Sequence, residues 1–137
     1  MFRQNEYVQM KSFLSVLALS LLLVSCHESL EDRTERETKE FTRKNCPMQI
    51  SEYVVNDSMT FEKETRTIHY YYSMKGAADT TAIDKVKARE EMLKGLKNAT
   101  GIRNYKKERF NFAYTYYSTK NKGKVLLDLK FTSKDYE

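Results

Sequence analysis

The amino-acid sequence predicts an α+β fold, with one amphipathic helix packed on one face of a four-stranded antiparallel sheet. Four stretches between residues 53 and 132 alternate apolar and polar side chains with the period of a β-strand. A stretch between the second and third of them repeats its apolar residues with the period of a helix. The predicted order is therefore β-β-α-β-β, which gives two packed layers. A chain of 137 residues suits one such domain.

The composition is that of a globular protein, with 40% hydrophobic and 31% charged residues. The formal net charge of +5 results from 24 basic and 19 acidic residues that are interleaved along the chain. A nucleic-acid-binding protein usually concentrates its cations on one face. We therefore expect no nucleic-acid partner.

The N-terminal segment has the layout of a secretory signal peptide. Lys11 provides a positive flank, and an apolar run of 12 residues follows from Phe13 to Val24. A helix that crosses a bilayer needs about 20 apolar residues, so this run is too short to be a membrane span. We expect residues 1–25 to be removed as a signal peptide and Met10 to be the true start.

The residues Leu23-Val24-Ser25-Cys26 resemble the lipobox of bacterial lipoproteins. In that family a peptidase cuts before the cysteine, which carries a diacylglycerol thioether and an acyl chain such as palmitate on its amino group. The resemblance implies that Cys26 is the lipidation site. Two or more buried chains anchor a protein stably to a membrane, whereas a single chain does not.

The residues after Cys26 bear on the location of the anchored protein. An aspartate directly after the lipidated cysteine retains many lipoproteins in the inner membrane, and this sequence has His27 there. The resemblance therefore implies the outer membrane. An interrupted acidic cluster formed by Glu28, Glu31 and Asp32 resembles a surface-export signal. Periplasmic and surface-facing locations both remain open.

Residues 26–45 contain few apolar side chains, and we expect them to form a solvated tether ahead of a domain over residues 46–137. An alternative is a helix that docks a partner, since oppositely charged residues four apart support helix formation. Cys46 has no intramolecular partner once Cys26 is acylated. We expect Cys46 to be mostly buried, and an intermolecular disulfide is the alternative.

Each predicted strand has one apolar face. The residues expected to share it are Val55, Met59 and Phe61 in the first strand, Ile68, Tyr70, Tyr72 and Met74 in the second, Phe110, Phe112, Tyr114 and Tyr116 in the third, and Val125, Leu127, Leu129 and Phe131 in the fourth. Asn121 and Gly123 suit a tight reversal between the last two strands.

The predicted helix lies within residues 79–101. Its core face would carry Ile83, Val86, Leu93 and Leu96, and Gly101 would end it. Burial of that face against the sheet would stabilise the helix.

Residues 44–136 are similar to a group of small exported bacterial proteins. The features shared are a Cys46-Pro47 start, a polar Asp57-Ser58 step into the strands and an ending over residues 131–136. The resemblance implies the same architecture and adds no functional residue.

The sequence offers no catalytic constellation. His27 lies in the tether and His69 lies alone on a strand, so no histidine pair has the spacing of metal ligands. Neither a nucleophile motif nor a phosphate-binding loop occurs. We therefore expect a protein that is not an enzyme and that needs no metal or cofactor.

The candidate binding residues lie on the sheet face opposite the helix, where the alternation places His69, Tyr71, Thr115 and Tyr117. We expect a lipid-anchored envelope protein whose domain contacts another protein. In the alternative, Tyr71 and Tyr117 stack on sugar rings of a glycan or peptidoglycan fragment. Tyrosine is also common at half-buried strand positions without any ligand.

Overall fold

A computed structural model of the chain describes residues 28–137. Cys26 and the predicted signal peptide lie outside the described residues. The elements are α1 Leu30–Asn45, β1 Met48–Ser51, β2 Val54–Glu62, β3 Thr67–Met74, a 3-10 turn Gly76–Ala78, α2 Lys85–Asn98, α3 Arg103–Lys107, β4 Asn111–Ser118, β5 Val125–Phe131 and α4 Ser133–Tyr136. None of the helices in this part of the chain is long and apolar enough to span a membrane.

The five strands form one mixed sheet in the order β1-β2-β3-β4-β5. The α+β class is confirmed, but the expectation of four antiparallel strands is wrong, because β3 and β4 are parallel. The segment between them includes α2 and returns the chain to the end of the sheet where β3 began, whereas a hairpin would have reversed it. The additional strand, β1, is only four residues long and pairs with the start of β2.

The hydrophobic core lies on one face of the sheet. Its fully enclosed members are Ile68, Leu96, Phe110, Phe112 and Phe131, which come from β3, α2, the residue before β4, β4 itself and β5. Side chains of α1, α3 and α4 pack against this cluster from the same side. The fold therefore has two layers, with all helices that reach the core on one face.

Two irregularities in strand pairing move side chains from the faces that strict alternation predicted. In β2 the register shifts between Asn56 and Ser58, so that Asn56 is buried opposite Tyr72 while Val55 pairs with Ser73 on the other face. In β5 the register shifts near Val125, which is 47% exposed. A bulge inserts one residue, and a shift of one residue reverses the face of every side chain beyond it.

Helix α1 replaces most of the solvated tether expected over residues 26–45. Ser29 caps its N-terminus by accepting a hydrogen bond from the Asp32 amide. Thr34 and Thr38 are buried. The Thr42 hydroxyl accepts from the Met59 amide and donates to the Met59 carbonyl, each at 2.8 Å. This hydroxyl thereby satisfies backbone groups of β2 that lie beyond the reach of β1.

Helix α2 begins at Lys85 because the Asp84 carboxylate caps the amides of Val86 and Lys87. Ile83 therefore precedes the helix, and Val86 is 70% exposed, so neither occupies the helical core face that the sequence predicted. Leu93 and Leu96 do pack against the core, and Leu96 is buried.

Candidate functional site on the open face of the sheet

The sheet face that points away from the core carries the candidate binding residues. His69 and Tyr71 of β3 lie on it because the alternate residues of the same strand, Ile68 and Tyr70, pack on the core side. The parallel register pairs Tyr71 with Thr115 of β4. We call this surface the open face; it carries Thr67, His69, Tyr71 and Ser73 of β3, Ala113, Thr115 and Tyr117 of β4, and Asp128 and Lys130 of β5.

Four side chains from three strands form a continuous hydrogen-bonded chain across the open face. The Thr115 hydroxyl donates to Asp128 Oδ1 at 2.8 Å, and His69 Nε2 lies 2.8 Å from the same hydroxyl. The Tyr71 hydroxyl lies 3.1 Å from His69 Nδ1. The His69 and Tyr71 rings also stack, with centroids 4.1 Å apart and planes inclined by 20°.

The direction of these hydrogen bonds assigns the histidine tautomer. A threonine hydroxyl has one proton, and Thr115 donates it to Asp128. His69 Nε2 must therefore carry the imidazole proton and donate it to Thr115. In the neutral ring Nδ1 is then the acceptor for the Tyr71 hydroxyl. Both nitrogens of the neutral imidazole therefore form hydrogen bonds with side chains of the open face.

A carboxylate lies beside this histidine. Glu62 Oε1 is 3.5 Å from His69 Nδ1, and Glu62 is exposed at the end of β2. The His69 side chain is 16% exposed, so solvent reaches this part of the open face.

Tyr117 lies on the same face but apart from the His69–Tyr71 stack. It pairs with Ser73 of β3 and with Val125 of β5, two positions further along β4 than Thr115. Its ring is half-buried. The structure therefore places the three predicted residues on one face and directly joins only His69 and Tyr71.

Two acidic residues belong to this face although the sequence analysis assigned them no part in a site. Asp128 is the last member of the hydrogen-bonded series, because it accepts from the Thr115 hydroxyl. Asp57, the residue in the β2 irregularity, accepts a hydrogen bond from Ser73 at 2.6 Å. Period-two alternation predicts the face of Asp128, but the position of Asp57 depends on a bulge that alternation does not reveal.

The tyrosines on the core side of the same strands have a different environment. Tyr70 stacks on Tyr114 with centroids 5.1 Å apart, and Tyr72 stacks on Tyr116 with centroids 4.7 Å apart. Desolvation raises the pKa of Tyr70 to about 12 and the pKa of Tyr116 to about 12. These rings are part of the packed layer and contribute stability, not a free binding surface.

The threonine hydroxyl that contacts His69 is already engaged within the open face. Thr115 lies next to His69, the potential base, but it is buried and already donates its hydroxyl proton to Asp128. This hydroxyl is therefore not available as a nucleophile. Among residues 28–137 no group of three acidic, histidine or cysteine side chains is arranged to hold a metal ion. A depression of about 320 Å³ lies along α2 beside Leu93 and Lys94, away from the His69 chain.

Cys46 is half-buried beside the start of the sheet. Its thiol lies 3.3 Å from Asn56 Oδ1, and burial raises the pKa of the thiol. Its exposure is greater than expected for a mostly buried cysteine. A raised pKa disfavours the thiolate, so reactivity at this position is suppressed.

Residues 29–127 match the family model described as "Domain of unknown function (DUF8479)". The match begins at Ser29, which caps α1, and ends at Leu127 within β5, so it includes this helix and most of the sheet. A search of the curated proteins returns no match.

Three solved structures have a similar fold. A protein described as secreted, from Pseudomonas aeruginosa, is 14% identical with a TM-score of 0.62 and covers 80% of this chain and 98% of its own. The type 2 secretion system pilotin EpsS from Vibrio vulnificus is 11% identical with a TM-score of 0.62, covering 79% and 92%. The type II secretion system pilotin AspS from Vibrio cholerae is 12% identical with a TM-score of 0.57, covering 77% and 91%.

Proposed function

We propose a function from the premise that this chain belongs to the family described as "Domain of unknown function (DUF8479)". In this proposal the protein is a lipid-anchored accessory protein of the bacterial cell envelope. In this proposal Cys26 carries the lipid, and the open face binds another envelope protein. The protein performs no chemistry of its own, and it needs no metal or cofactor.

The observation that carries this proposal is the agreement between the fold and the N-terminal address. Two of the three similar structures are pilotins of secretion systems, and the third is described as a secreted protein. The lipobox-like residues before and at Cys26 independently favour export and anchoring. Low identity limits each comparison to the fold, so the shared envelope role is our inference.

The start of α1 bears on which side of the membrane the domain faces. Glu31 forms an ion pair with Arg66 at 3.0 Å, and Asp32 pairs with Lys63. Both acids also lie in the first helical turn, where negative charge is favourable. Because these acids have structural roles, we favour the periplasmic face of the outer membrane over surface export.

A protein partner suits the open face better than a glycan. A sugar ring would stack on an aromatic side chain with a free face, as the glycan alternative requires of Tyr71. One face of the Tyr71 ring is already covered by His69, and its hydroxyl is engaged at Nδ1. A broad surface of strands with hydrogen-bonding side chains is suited to a polar protein interface.

The anchor is tested by replacing the proposed lipidation site. We expect Cys26→Ala to lose labelling by a fatty-acid probe and to move from the membrane fraction to the soluble fraction. Cys46→Ala is the matched control and should keep both properties. If Cys26→Ala keeps both the labelling and the membrane fractionation, Cys26 is not the lipidation site.

The binding face is tested at Tyr117, because this ring is not part of the His69 chain. We expect Tyr117→Ala to reduce crosslinking to a defined envelope partner in intact cells by at least fivefold, with little change in melting temperature. Lys94→Ala on α2 is the control and should leave crosslinking unchanged. Equal crosslinking of both variants would show that the partner binds elsewhere.

A further inference from the structure

The structure divides into two ends that the proposed anchor holds at different distances from the membrane. The capping residue Ser29 lies three positions after Cys26, a span of about 10 Å at most. The N-terminus of α1 is therefore the membrane-proximal end. The parallel strands β3 and β4 run away from this end for about 26 Å, the length of eight residues.

Ion pairs neutralise much of the charge at the membrane-proximal end. Arg66, in the β2–β3 turn, reaches Glu31 of α1 at 3.0 Å and Glu108 at 4.0 Å. Arg109, just before β4, reaches Glu137 at 2.8 Å. Arg66 and Arg109 at this end are thereby paired with carboxylates.

The opposite end, which we call the distal pole, consists of the end of β1 with the turn after it (residues 49–53), the β3–α2 connection (residues 75–79) and the β4–β5 hairpin (residues 118–125). Hydrogen bonds join these segments. The Lys75 amide donates to the Tyr53 carbonyl at 2.9 Å, and the Lys120 amide donates to Asp79 Oδ2 at 2.8 Å. Gly76 has φ +58° and packs so close to the Tyr53 ring that a Cβ would lie 3.0 Å from it.

None of the lysines of the distal pole forms an ion pair with a carboxylate among the described residues. The lysines are Lys75, Lys120, Lys122 and Lys124. Lys75 Nζ donates to the neutral amide oxygen of Gln49, and Lys120 Nζ donates to the Gly76 carbonyl. Asp79 is buried and already accepts hydrogen bonds from the hairpin, which lower the pKa of its carboxyl. With the exposed Glu52 and the buried Asp79, the distal pole carries four lysines and two carboxylates, a formal net charge of +2 (4 − 2).

Exposed apolar side chains lie among these lysines. Of the four large apolar side chains that are exposed in residues 28–137, three belong to the distal pole: Ile50 at 51%, Tyr53 at 38% and Val125 at 47%. Ile50 and Tyr53 lie by the edge strand β1, and Val125 lies in the opposite edge strand β5; these edges are about 19 Å apart at the usual strand spacing. An extended peptide of about six residues has this length.

We propose that the distal pole binds an acidic, partly apolar segment of the envelope protein that contacts the open face. Carboxylates of this segment pair with the hairpin lysines, and its apolar side chains cover Tyr53 and Val125. The proposal rests on the proposed function, because the anchor at Cys26 sets which end is distal. Charge complementarity of this kind determines partner choice and accelerates association.

The position of the distal pole argues against the anchoring membrane as its ligand. The lipid holds the start of α1 at the bilayer, and the basic surface lies at the other end of β3 and β4. Tyr117 pairs with Val125, so the open face continues directly into the distal pole. One partner can therefore cover both surfaces.

The test is crosslinking by a photoreactive phenylalanine derivative, which keeps an aromatic ring at the tyrosine positions, in the full-length lipidated protein in its own cells. We place it at Tyr53 in the distal pole, at Tyr117 on the open face and at Lys107 at the membrane-proximal end. We expect Tyr53 and Tyr117 to crosslink to the same protein and the Tyr53 crosslink to map to an acidic segment. A protein crosslink from Tyr117 without one from Tyr53 would overturn the distal-pole proposal and leave the proposed function intact. The absence of protein crosslinks from both positions would overturn the proposed function as well.

Charge reversal tests the role of the lysines. We expect Lys122→Glu/Lys124→Glu to reduce the Tyr53 crosslink at least fivefold without a change in melting temperature. The control, Lys94→Glu/Lys97→Glu on α2, reverses the same number of exposed lysines and should remain within twofold. Equal losses in both variants would show that net charge is responsible, and crosslinks from Tyr53 to lipid or glycan would also contradict the proposal.

Discussion

Neighbouring tyrosines on β3 face opposite sides of the sheet and have different roles. Tyr70 packs on the core side, where it stacks on Tyr114, and burial raises its pKa to about 12. Tyr71, the next residue, stacks on His69 and gives its hydroxyl to a polar chain that ends at Asp128. The same residue type therefore packs among stacked rings on one face and joins a polar hydrogen-bonded network on the other. The difference is set by which face the helices cover.

The largest effect that separates the two faces is expected from removing a core-side ring. Tyr70→Ala should lower the free energy of unfolding by about 3 kcal/mol, because it leaves a cavity and removes two aromatic contacts. Denaturant unfolding measures this change. A loss below about 1 kcal/mol would place Tyr70 outside the packed layer.

An intermediate effect is expected from breaking the polar chain on the open face. Thr115→Val should cost about 1 kcal/mol, because the largely shielded His69 Nε2 loses its acceptor, whereas Asp128 is exposed and can bond to water instead. The imidazole NH resonance in NMR spectra should also shift, which a loss of packing alone would not produce. If the variant keeps wild-type stability and the imidazole resonance does not shift, the hydrogen bonds between His69, Thr115 and Asp128 are not formed in solution.

Alkaline pH should weaken the core side through its tyrosines. The folded-state pKa of Tyr70 and of Tyr116 is raised to about 12 from 10. Between these values the unfolded chain releases protons that the folded chain retains, so stability is fully present below pH 10 and declines towards pH 12. The double variant Tyr70→Phe/Tyr116→Phe should show a shallower decline in unfolding experiments across this range. An identical decline would assign the loss to other groups.

The smallest effect on stability is expected at the outer ring. Tyr117→Ala should change the free energy of unfolding by no more than about 0.5 kcal/mol, because the ring is half-buried and outside the hydrogen-bonded chain. Denaturant unfolding beside Tyr70→Ala gives the direct contrast. If Tyr117→Ala lowers the free energy of unfolding as much as Tyr70→Ala, the tyrosine rings on the two faces contribute equally to stability.

The sequence predicted the faces of most strand residues because alternation follows from backbone geometry alone. It placed Tyr70 and Tyr71 on opposite faces and grouped His69 with Tyr117. It could not predict the parallel pairing of β3 with β4, since period-two alternation is the same in parallel and antiparallel strands. The shifts at Val55 and Val125 also depend on tertiary pairing.

Composition indicates a tether over the residues that form helix α1, because a sequence pattern does not show which polar side chains are buried. The buried face of α1 is formed by threonines, which composition counts as polar. Thr34 returns its hydroxyl to the Leu30 carbonyl at 2.6 Å, and Thr42 satisfies the edge of β2. Once those hydroxyls are bonded, threonine can be buried at little cost. Hydrogen-bond partners of this kind are set by the fold and are not visible in a sequence pattern.

The account depends most directly on the chemical state of Cys26 in the protein purified from its own membranes. Intact-mass and N-terminal peptide measurements should find a chain that begins at Cys26, with a diacylglycerol thioether on the sulfur and an acyl chain on the amino group. A chain that retains residues 10–25 with an unmodified Cys26 would contradict the anchor and the orientation derived from it.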